Sequence, residues 1–357
     1  MKVQLLPRKN IYKANLHCHS TYSDGWLTPA ELKDLYMSMG YSIVAFTDHE
    51  VCFAHNHLAD ENFLPITGYE MQIKGELPPD GETYRKVVHL VFYSKDPKNT
   101  TLVHYCPKEM DYATSWWYVA AMRRAGEPVE HRELSVDNLN AIIADAKKEG
   151  FLCSFAHPYW SHNDRRDYCG LKGLMSLEIY NSFNEREMGN GYAPQVYEEM
   201  LRDGQRISCI AADDNHNKPL EYVRYQLSEC DPRDPRYTDQ SGGGWVMIAA
   251  DELKYDAVLQ AMEQGDFYAS TGPEIKDLYV EDDICHIECS PAAKIIFSSG
   301  ARRKATVCFP LDGPLTMAEF KIFPQDRYLR ITVVDEKGKV AETRAYWADE
   351  FRTAQEA

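Results

Sequence analysis

The stretch ANLHCHSTYSDG, residues 14–25, sets His17 and His19 two positions apart, with Asp24 five residues beyond His19. On a β-strand, residues i and i+2 project from one face, so both imidazoles can converge on a single point. Two imidazoles at one point suggest a metal. The residues that follow indicate the fold. In TPAELKDLYMSMG (28–40), Thr28 can cap a helix, Pro29 suits its first position and Glu31 completes a capping box. Leu32, Leu35, Tyr36 and Met39 form one apolar stripe, which Gly40 ends. The next run, YSIVAFTDH (41–49), is β-branched and aromatic, too short for a helix, and closes in polar residues.

The same order recurs downstream. SVDNLNAIIADAKKEG (135–150) puts Leu139, Ile142, Ile143 and Ala146 on one helix face and runs through Gly150 into FLCSFA and HPYW (151–160). APQVYEEMLRDG (193–204) leads likewise into RISCIAADDNH (206–216). Helix, glycine, apolar strand and polar cluster, repeated, imply an α/β fold with a parallel sheet whose functional groups sit at strand ends. Residues 98–132 and 217–243 read as insertions, of the kind that build lids and specificity walls. From about Pro273 the pattern turns to strands, the last a hairpin turning at Glu336 to Lys339. The expected organisation is a large unit over 1–273 and a small β-rich one over 274–357.

Composition narrows the function. A net charge of −16 disfavours long nucleic acid and anionic membranes, while a small anionic substrate remains open if the site gathers cations. The ten cysteines are scattered, form no C-x-x-C, and several lie in apolar runs, which suits reduced thiols in a cytoplasmic protein. The first residues lack the apolar core of a signal peptide, and no run approaches the roughly 20 apolar residues of a membrane span.

The polar residues at strand ends are His17, His19 and Asp24; Asp48 and His49; Glu70; His89; His157; and Asp214 and His216. A nitrogen and oxygen donor set without cysteine suits Mn, Zn or Fe at a catalytic centre. Nine candidate ligands, all of these but Asp48, exceed the needs of one ion, so two or three divalent ions are expected, with a carboxylate such as Glu70 able to bridge. Each piece alone has a plainer reading: Asp48 could cap a helix, His157 could be a turn residue, and Asp213 and Asp214 could be surface acids. Their joint occurrence argues otherwise, because burying so many ionisable groups is costly without compensating charge. His55 and His57 share the H-x-H spacing but follow no apolar strand, and His104, His131 and His286 read as loop histidines.

NLHCHSTYSDGWLTPAELKDLYMSMGYSIVAFTDH, then GYE, VHLVFYS, SFAHP, LEIYN and DDNH, in that order, resemble the polymerase and histidinol phosphatase (PHP) family over about residues 14–273. GDFYASTGP and the final hairpin further resemble the branch typified by the CehA and McbA hydrolases. The resemblance implies a distorted seven-stranded (β/α) barrel with metals at the carboxyl ends of its strands. It implies one ion at His17, His19, Glu70 and Asp214, a second at Glu70, His89 and His157, and a third at Asp24, His49 and His216. It further implies phosphoester hydrolysis by a metal-activated hydroxide, with Asp48 orienting an imidazole or moving a proton beside His49. Arg165, Arg166 and Arg186, with His162, are the expected substrate contacts. The substrate would be a small phosphorylated molecule or short nucleotide. A carbamate or amide hydrolase on the same site, and a non-catalytic binding module, are the rival expectations.

Overall fold

Thr28 begins the first helix as its sequence dictates. Its hydroxyl accepts from the Glu31 N–H at 3.3 Å, and the Glu31 carboxylate accepts from the Thr28 N–H at 2.8 Å. The computed structural model describes residues 2–76, 85–110, 118, 120, 122–217, 241–301 and 305–352. Part of the 98–132 insertion and residues 218–240 of the second insertion lie outside the described residues.

The chain runs β1 (Lys2–Gln4), β2 (Asn10–Asn15), α1 (Pro29–Ser38), β3 (Ile43–Phe46), β4 (Leu64–Lys74) and β5 (Val87–Ser94). Short strands β6 (Thr101–Val103) and β7 (Arg123–Ala125) pair with each other in a separate sheet. Next come α2 (Val136–Lys148), β8 (Phe151–Phe155), α3 (Arg165–Tyr168), β9 (Ser176–Asn181), α4 (Ser182–Met188), α5 (Pro194–Arg202) and β10 (Ser208–Ala212). Beyond the second insertion lie β11 (Trp245–Ala250), α6 (Tyr255–Gln264) and β12 (Phe267–Ser270). The end of the chain is strand-rich: β13 (Ile275–Glu281), β14 (Ile284–Ala292), β15 (Lys294–Ser298), β16 (Ala305–Cys308) and β17 (Leu315–Lys321). It closes with β18 (Tyr328–Val334), β19 (Val340–Thr343), β20 (Tyr346–Trp347) and α7 (Ala348–Phe351).

These elements make a mixed α/β fold around one large sheet, ordered β10-β9-β8-β5-β4-β3-β2-β11-β12-β19-β18-β15-β16, with β20 on β18. Strands β2, β3 and β4 are parallel, as are β8, β9 and β10. Strand β5 departs from the expected parallel sheet, running antiparallel to both β4 and β8. The ladder continues past both strands, with Gly75 N–H bonded to Lys86 O at 2.8 Å, so β4 and β5 pair as antiparallel neighbours in sequence. The reversal places His89, near the start of β5, opposite Gln72, near the end of β4. A residue at a strand's beginning thereby reaches the rim where other strands end.

Helix α2 buries the face its periodicity specifies, Leu139, Ile142, Ile143 and Ala146, in a cluster with Phe151, Phe155 and Leu177. Each such side chain contributes roughly 1.5–3 kcal/mol relative to exposure. Gly40 (φ 78°) and Gly150 (φ 86°) end their helices in the left-handed region that other residues enter at a cost. A second cluster draws Ala14, Ile43, Ile66, Val91, Leu152, Ile210 and Val246 from seven strands of the large sheet.

Strand β1 pairs antiparallel with β13 in a four-stranded sheet β1-β13-β14-β17, so the start of the chain is joined to its last third. The β18–β19 hairpin turns over Asp335–Lys339, where Asp335 Oδ1 accepts from the N–H groups of Lys337 and Lys339, both at 2.8 Å. Ile275, Leu278 and Ile287 of one sheet share a core with Ile295, Ile331 and Val333 of the other. Among the described residues nine cysteines are free thiols, and no helix is long and apolar enough to cross a membrane.

Candidate metal centre

His17 and His19 lie just past β2, where the chain leaves the sheet but stays extended, and a parallel bridge from Cys18 to Asn215 ties this segment to the end of β10. His19 N–H donates to Asn215 O at 3.2 Å, and Asp214 N–H to His17 O at 3.0 Å. These bonds set Asp214 beside the two imidazoles. A second parallel bridge, His49 to Glu70, does the same for the ends of β3 and the middle of β4. Positive φ angles at His157 (24°), Asp214 (51°) and Glu50 (57°) show backbone strain concentrated here.

The side chains converge. His17 Nε2 lies 3.3 Å from Glu70 Oε1 and 3.3 Å from Asp214 Oδ1. His19 Nε2 lies 3.3 Å from Glu70 Oε2, 2.9 Å from Asp214 Oδ1 and 3.2 Å from His17 Nε2. Donors about 2.0–2.2 Å from one cation stand about 3.3–3.6 Å apart in a tetrahedron and about 2.8–3.1 Å apart in an octahedron. The observed separations span these ranges. His17 Nδ1 meets Glu178 Oε1 at 3.1 Å, which fixes the proton on Nδ1 and turns the Nε2 lone pair inward. Lone pairs and carboxylate oxygens, all buried and facing one point, fit a divalent cation.

Glu70 extends the centre. Its Oε1 lies 2.8 Å from His89 Nδ1 and 3.2 Å from His157 Nε2, and its Oε2 lies 3.0 Å from His49 Nδ1. Among the described residues His89 Nε2 is buried without a hydrogen-bond partner, as a free ligand position would be. On the far side, Asp24 Oδ2 lies 3.2 Å from His216 Nε2 and 3.9 Å from His49 Nε2, and Asp24 Oδ1 is 3.7 Å from His19 Nδ1. All nine residues singled out as ligands thus fall into four overlapping donor groups, together with Glu178. The grouping differs from the expected ligand sets: His19 joins Asp24, His49 and His216, Glu70 and His89 group with His49, and His157 groups with His17 and Glu178.

Burial opposes charge on His17, yet Asp214, Glu70 and Glu178 outweigh it and raise its pKa well above the ordinary value. Burial likewise opposes charge on His19, and hydrogen bonds to Asp214 and Glu70 raise it to about 10. For Glu70, burial is overcome by His17, His89 and His49, so its pKa falls well below the carboxylate range. His89 goes the other way, lowered to about 4 by burial that Glu70 only partly offsets. The donors hold one another's charge in the way a cation would.

The sequence model of the PHP domain matches residues 15–203, more than half of the 357-residue chain. The chain belongs to the PHP domain family. No curated protein matches it. Among solved structures, a two-domain Bacteroides vulgatus protein, named as containing a PHP-like metal-dependent phosphoesterase, is similar at 13% identity and a TM-score of 0.43, covering 96% of this chain and 98% of the other. A Bifidobacterium adolescentis protein named as a metal-dependent phosphoesterase shares 19% identity over 62% of this chain and 96% of its own, with a TM-score of 0.32. An amidohydrolase from Chromobacterium violaceum with bound sulfate and no metal shares 17% identity over 57% of this chain and 87% of its own, at 0.36. Scores this low leave the PHP site to be judged on its own donors.

Other expected site residues stand elsewhere in the PHP chain. Asp48 is not paired with an imidazole: Oδ1 accepts from the Ser20 N–H (2.7 Å), Ser23 N–H (3.1 Å) and Ser23 hydroxyl (2.7 Å), and Oδ2 from the Ser20 hydroxyl (2.8 Å). It holds the turn that carries Asp24. Arg166 is exposed and forks onto Asp164, and Arg165 reaches Asp203, so both complete surface ion pairs around the start of α3. Arg186 is exposed on α4 beside Gly243, and His162 is exposed in the turn after His157. His55 is buried against Tyr22 and Phe46, while His104, His131 and His286 pair with Asp145, Glu109 and Glu319, and all four lie outside the donor groups.

Glu178 and Asn181, within SLEIYN, escaped the sequence reading. Glu178 Oε2 accepts from the His157 N–H at 2.8 Å and from Asn181 Nδ2 at 3.0 Å, and that amide also donates to Asp214 Oδ2 at 3.0 Å. The signal was an acid in the middle of an apolar strand, which must find a partner when buried. Asp213, buried beside Asp214, accepts from the N–H groups of Gly242, Gly243 and Gly244 and so ties the end of the second insertion to the rim.

Proposed function

We propose that this chain is a metal-dependent phosphoesterase that hydrolyses a small phosphate monoester or diester, including short nucleotides, in the cytoplasm, and that it lies near the CehA and McbA branch of the PHP family. The observation that carries the reading is the quartet His17, His19, Glu70 and Asp214, whose donor atoms lie at the mutual distances of ligands to one ion. Strands β2, β3, β4, β5, β8, β9 and β10 form the closed seven-stranded barrel. The bridge from Cys18 to Asn215 and the shared cluster from Ala14 to Ile210 support that closure. The β-rich end beyond about residue 273 is a second unit built onto the first, through β19 on β12 and β13 on β1.

Two or three divalent ions, Mn, Zn or Fe, bound by these residues would neutralise the ester's charge and lower the pKa of a coordinated water. The protein's own part is positioning. Glu70, facing His17, His19, His49, His89 and His157, would be the carboxylate shared between the ions these residues hold. Glu178 holds the His17 tautomer, and Asp48 holds the Asp24 turn. Trp160, with ring centroids 5.1 Å from His157 and 6.0 Å from His89, and Phe183, 5.1 Å from His216, shield two flanks from water.

One observation keeps a second reading. Arg165 and Arg166, expected to grip phosphate, are engaged with Asp203 and Asp164, so hydrolysis of a carbamate or amide remains the rival. A phosphate-release panel set beside an amide and carbamate panel, both with Mn-loaded protein, separates them. Turnover of phosphoesters alone is expected, and turnover of amides or carbamates alone would overturn the phosphoesterase reading.

A further inference from the structure

We propose that Arg132, acting through Glu50, is a positioning residue for the His49 imidazole, and that this buried pair sets cation occupancy at the Asp24, His49 and His216 end of the centre. The inference rests on the metal reading above. Glu50 follows His49 directly, at φ 57°, and its N–H makes a backbone bond to Glu70 O at 2.8 Å. Beyond it the chain turns away from β4. Gln72, two residues further along β4, would then keep a buried N–H and C=O without a strand to pair them, a costly arrangement. Side chains take the strand's place: Glu50 Oε1 accepts from the Gln72 N–H at 2.9 Å, and Arg132 Nη1 donates to the Gln72 carbonyl at 3.0 Å.

The same two side chains bind each other fork to fork, Nη1 to Oε1 at 2.7 Å and Nη2 to Oε2 at 2.9 Å. Arg132 Nε donates to His104 O at 2.8 Å, and the Arg132 N–H to Glu109 Oε1 at 3.2 Å. Both side chains are almost wholly buried, at 1% and 2% exposure. The fork is therefore held on every side, and only a guanidinium fills it in this way. Its effect falls on the neighbouring residue. Residues 48–50 are pinned by Asp48 to the Ser20–Ser23 turn and by Glu50 to β4 and Arg132, and His49 between them stands 3.0 Å from Glu70 Oε2 and 3.9 Å from Asp24 Oδ2. A ligand bracketed by two fixed neighbours leaves the backbone in a fixed direction, which aims its ring.

A buried pair could equally serve the fold alone, and replacing both partners with apolar residues of similar volume is often neutral for stability. That separates the two roles. The double variant E50M/R132M and the wild type are loaded with Mn, freed of excess metal, and compared for thermal midpoint and for metal per chain by elemental analysis. The double variant is expected to fold cooperatively, with a lowered thermal midpoint because Gln72 and the His104 carbonyl lose their partners, and to retain about one ion fewer per chain. A folded double variant with wild-type metal content would overturn the inference and leave the metal reading standing, whereas a wild type that takes up no cation would remove both. Where the double variant does not fold, R132K decides: it keeps the charge but not the fork, and about tenfold weaker binding of the most weakly held ion is expected, unchanged binding being the contrary result.

Discussion

Glu178 Oε1 lies 3.1 Å from His17 Nδ1, and the opposite nitrogen of that ring faces Glu70 and Asp214. One carboxylate outside the donor quartet therefore decides which His17 nitrogen can serve as a ligand. Glu178→Gln keeps the shape and removes the charge. Metal affinity should fall about 10–100-fold, as for other carboxylates behind ligating histidines, with little change in thermal midpoint. Competition against a calibrated chelator measures it.

His17→Ala and His19→Ala each remove a donor that faces both Glu70 and Asp214. The two carboxylates would then face each other with less compensation. Each variant should lose metal and hydrolytic turnover, and the apo proteins should be less stable than the loaded wild type by an amount that grows with metal concentration. Thermal melts across a metal titration check this.

Gly25 passes so close to His19 that an added Cβ would stand 2.5 Å from the His19 carbonyl carbon and oxygen. Backbone cannot yield as a side-chain tip can. Gly25→Ala should push the 20–25 turn outward, carry Asp24 away from His216, and destabilise by about 1–3 kcal/mol. Denaturant melts give the stability, and metal content reports the displaced Asp24.

His55 gives a pH dependence separate from the metal centre. Burial pushes its pKa down to about 4, and its Nε2 is buried without a hydrogen-bond partner among the described residues. The unfolded chain binds the proton near pH 6.5 and the folded one only near 4, so stability is complete above about 6.5 and is lost as pH falls through that window. His55→Leu should flatten this limb, leaving the variant relatively more stable than wild type at pH 5 than at pH 7. Paired denaturant melts at the two pH values measure the difference.

Local rules made much of this legible in the sequence. A period of two brought His17 and His19 to one face, and a period of 3.6 named Leu139, Ile142, Ile143 and Ala146, the residues α2 buries. Features that depend on distant partners were not legible. Arg132 and Glu50 stand 82 residues apart with no shared motif, and β1 finds β13 across nearly the whole chain through three register pairs. Asp48 and the arginines at 165 and 166 show a related limit. Charge type was visible, whereas the nearer serines and aspartates that satisfy those charges were set by turn geometry. Glu178 carried a readable signal, an acid inside an apolar strand, whose partner only the fold could supply.

The most direct measurement is anomalous diffraction at the Mn absorption edge from crystals of the Mn-loaded protein. Two or three peaks are expected within the cage of His17, His19, Glu70 and Asp214 and its neighbours, adjacent ions about 3.5–4 Å apart with Glu70 between them. Crystals with no anomalous peak among these residues, or with one only at the protein surface, would contradict the account.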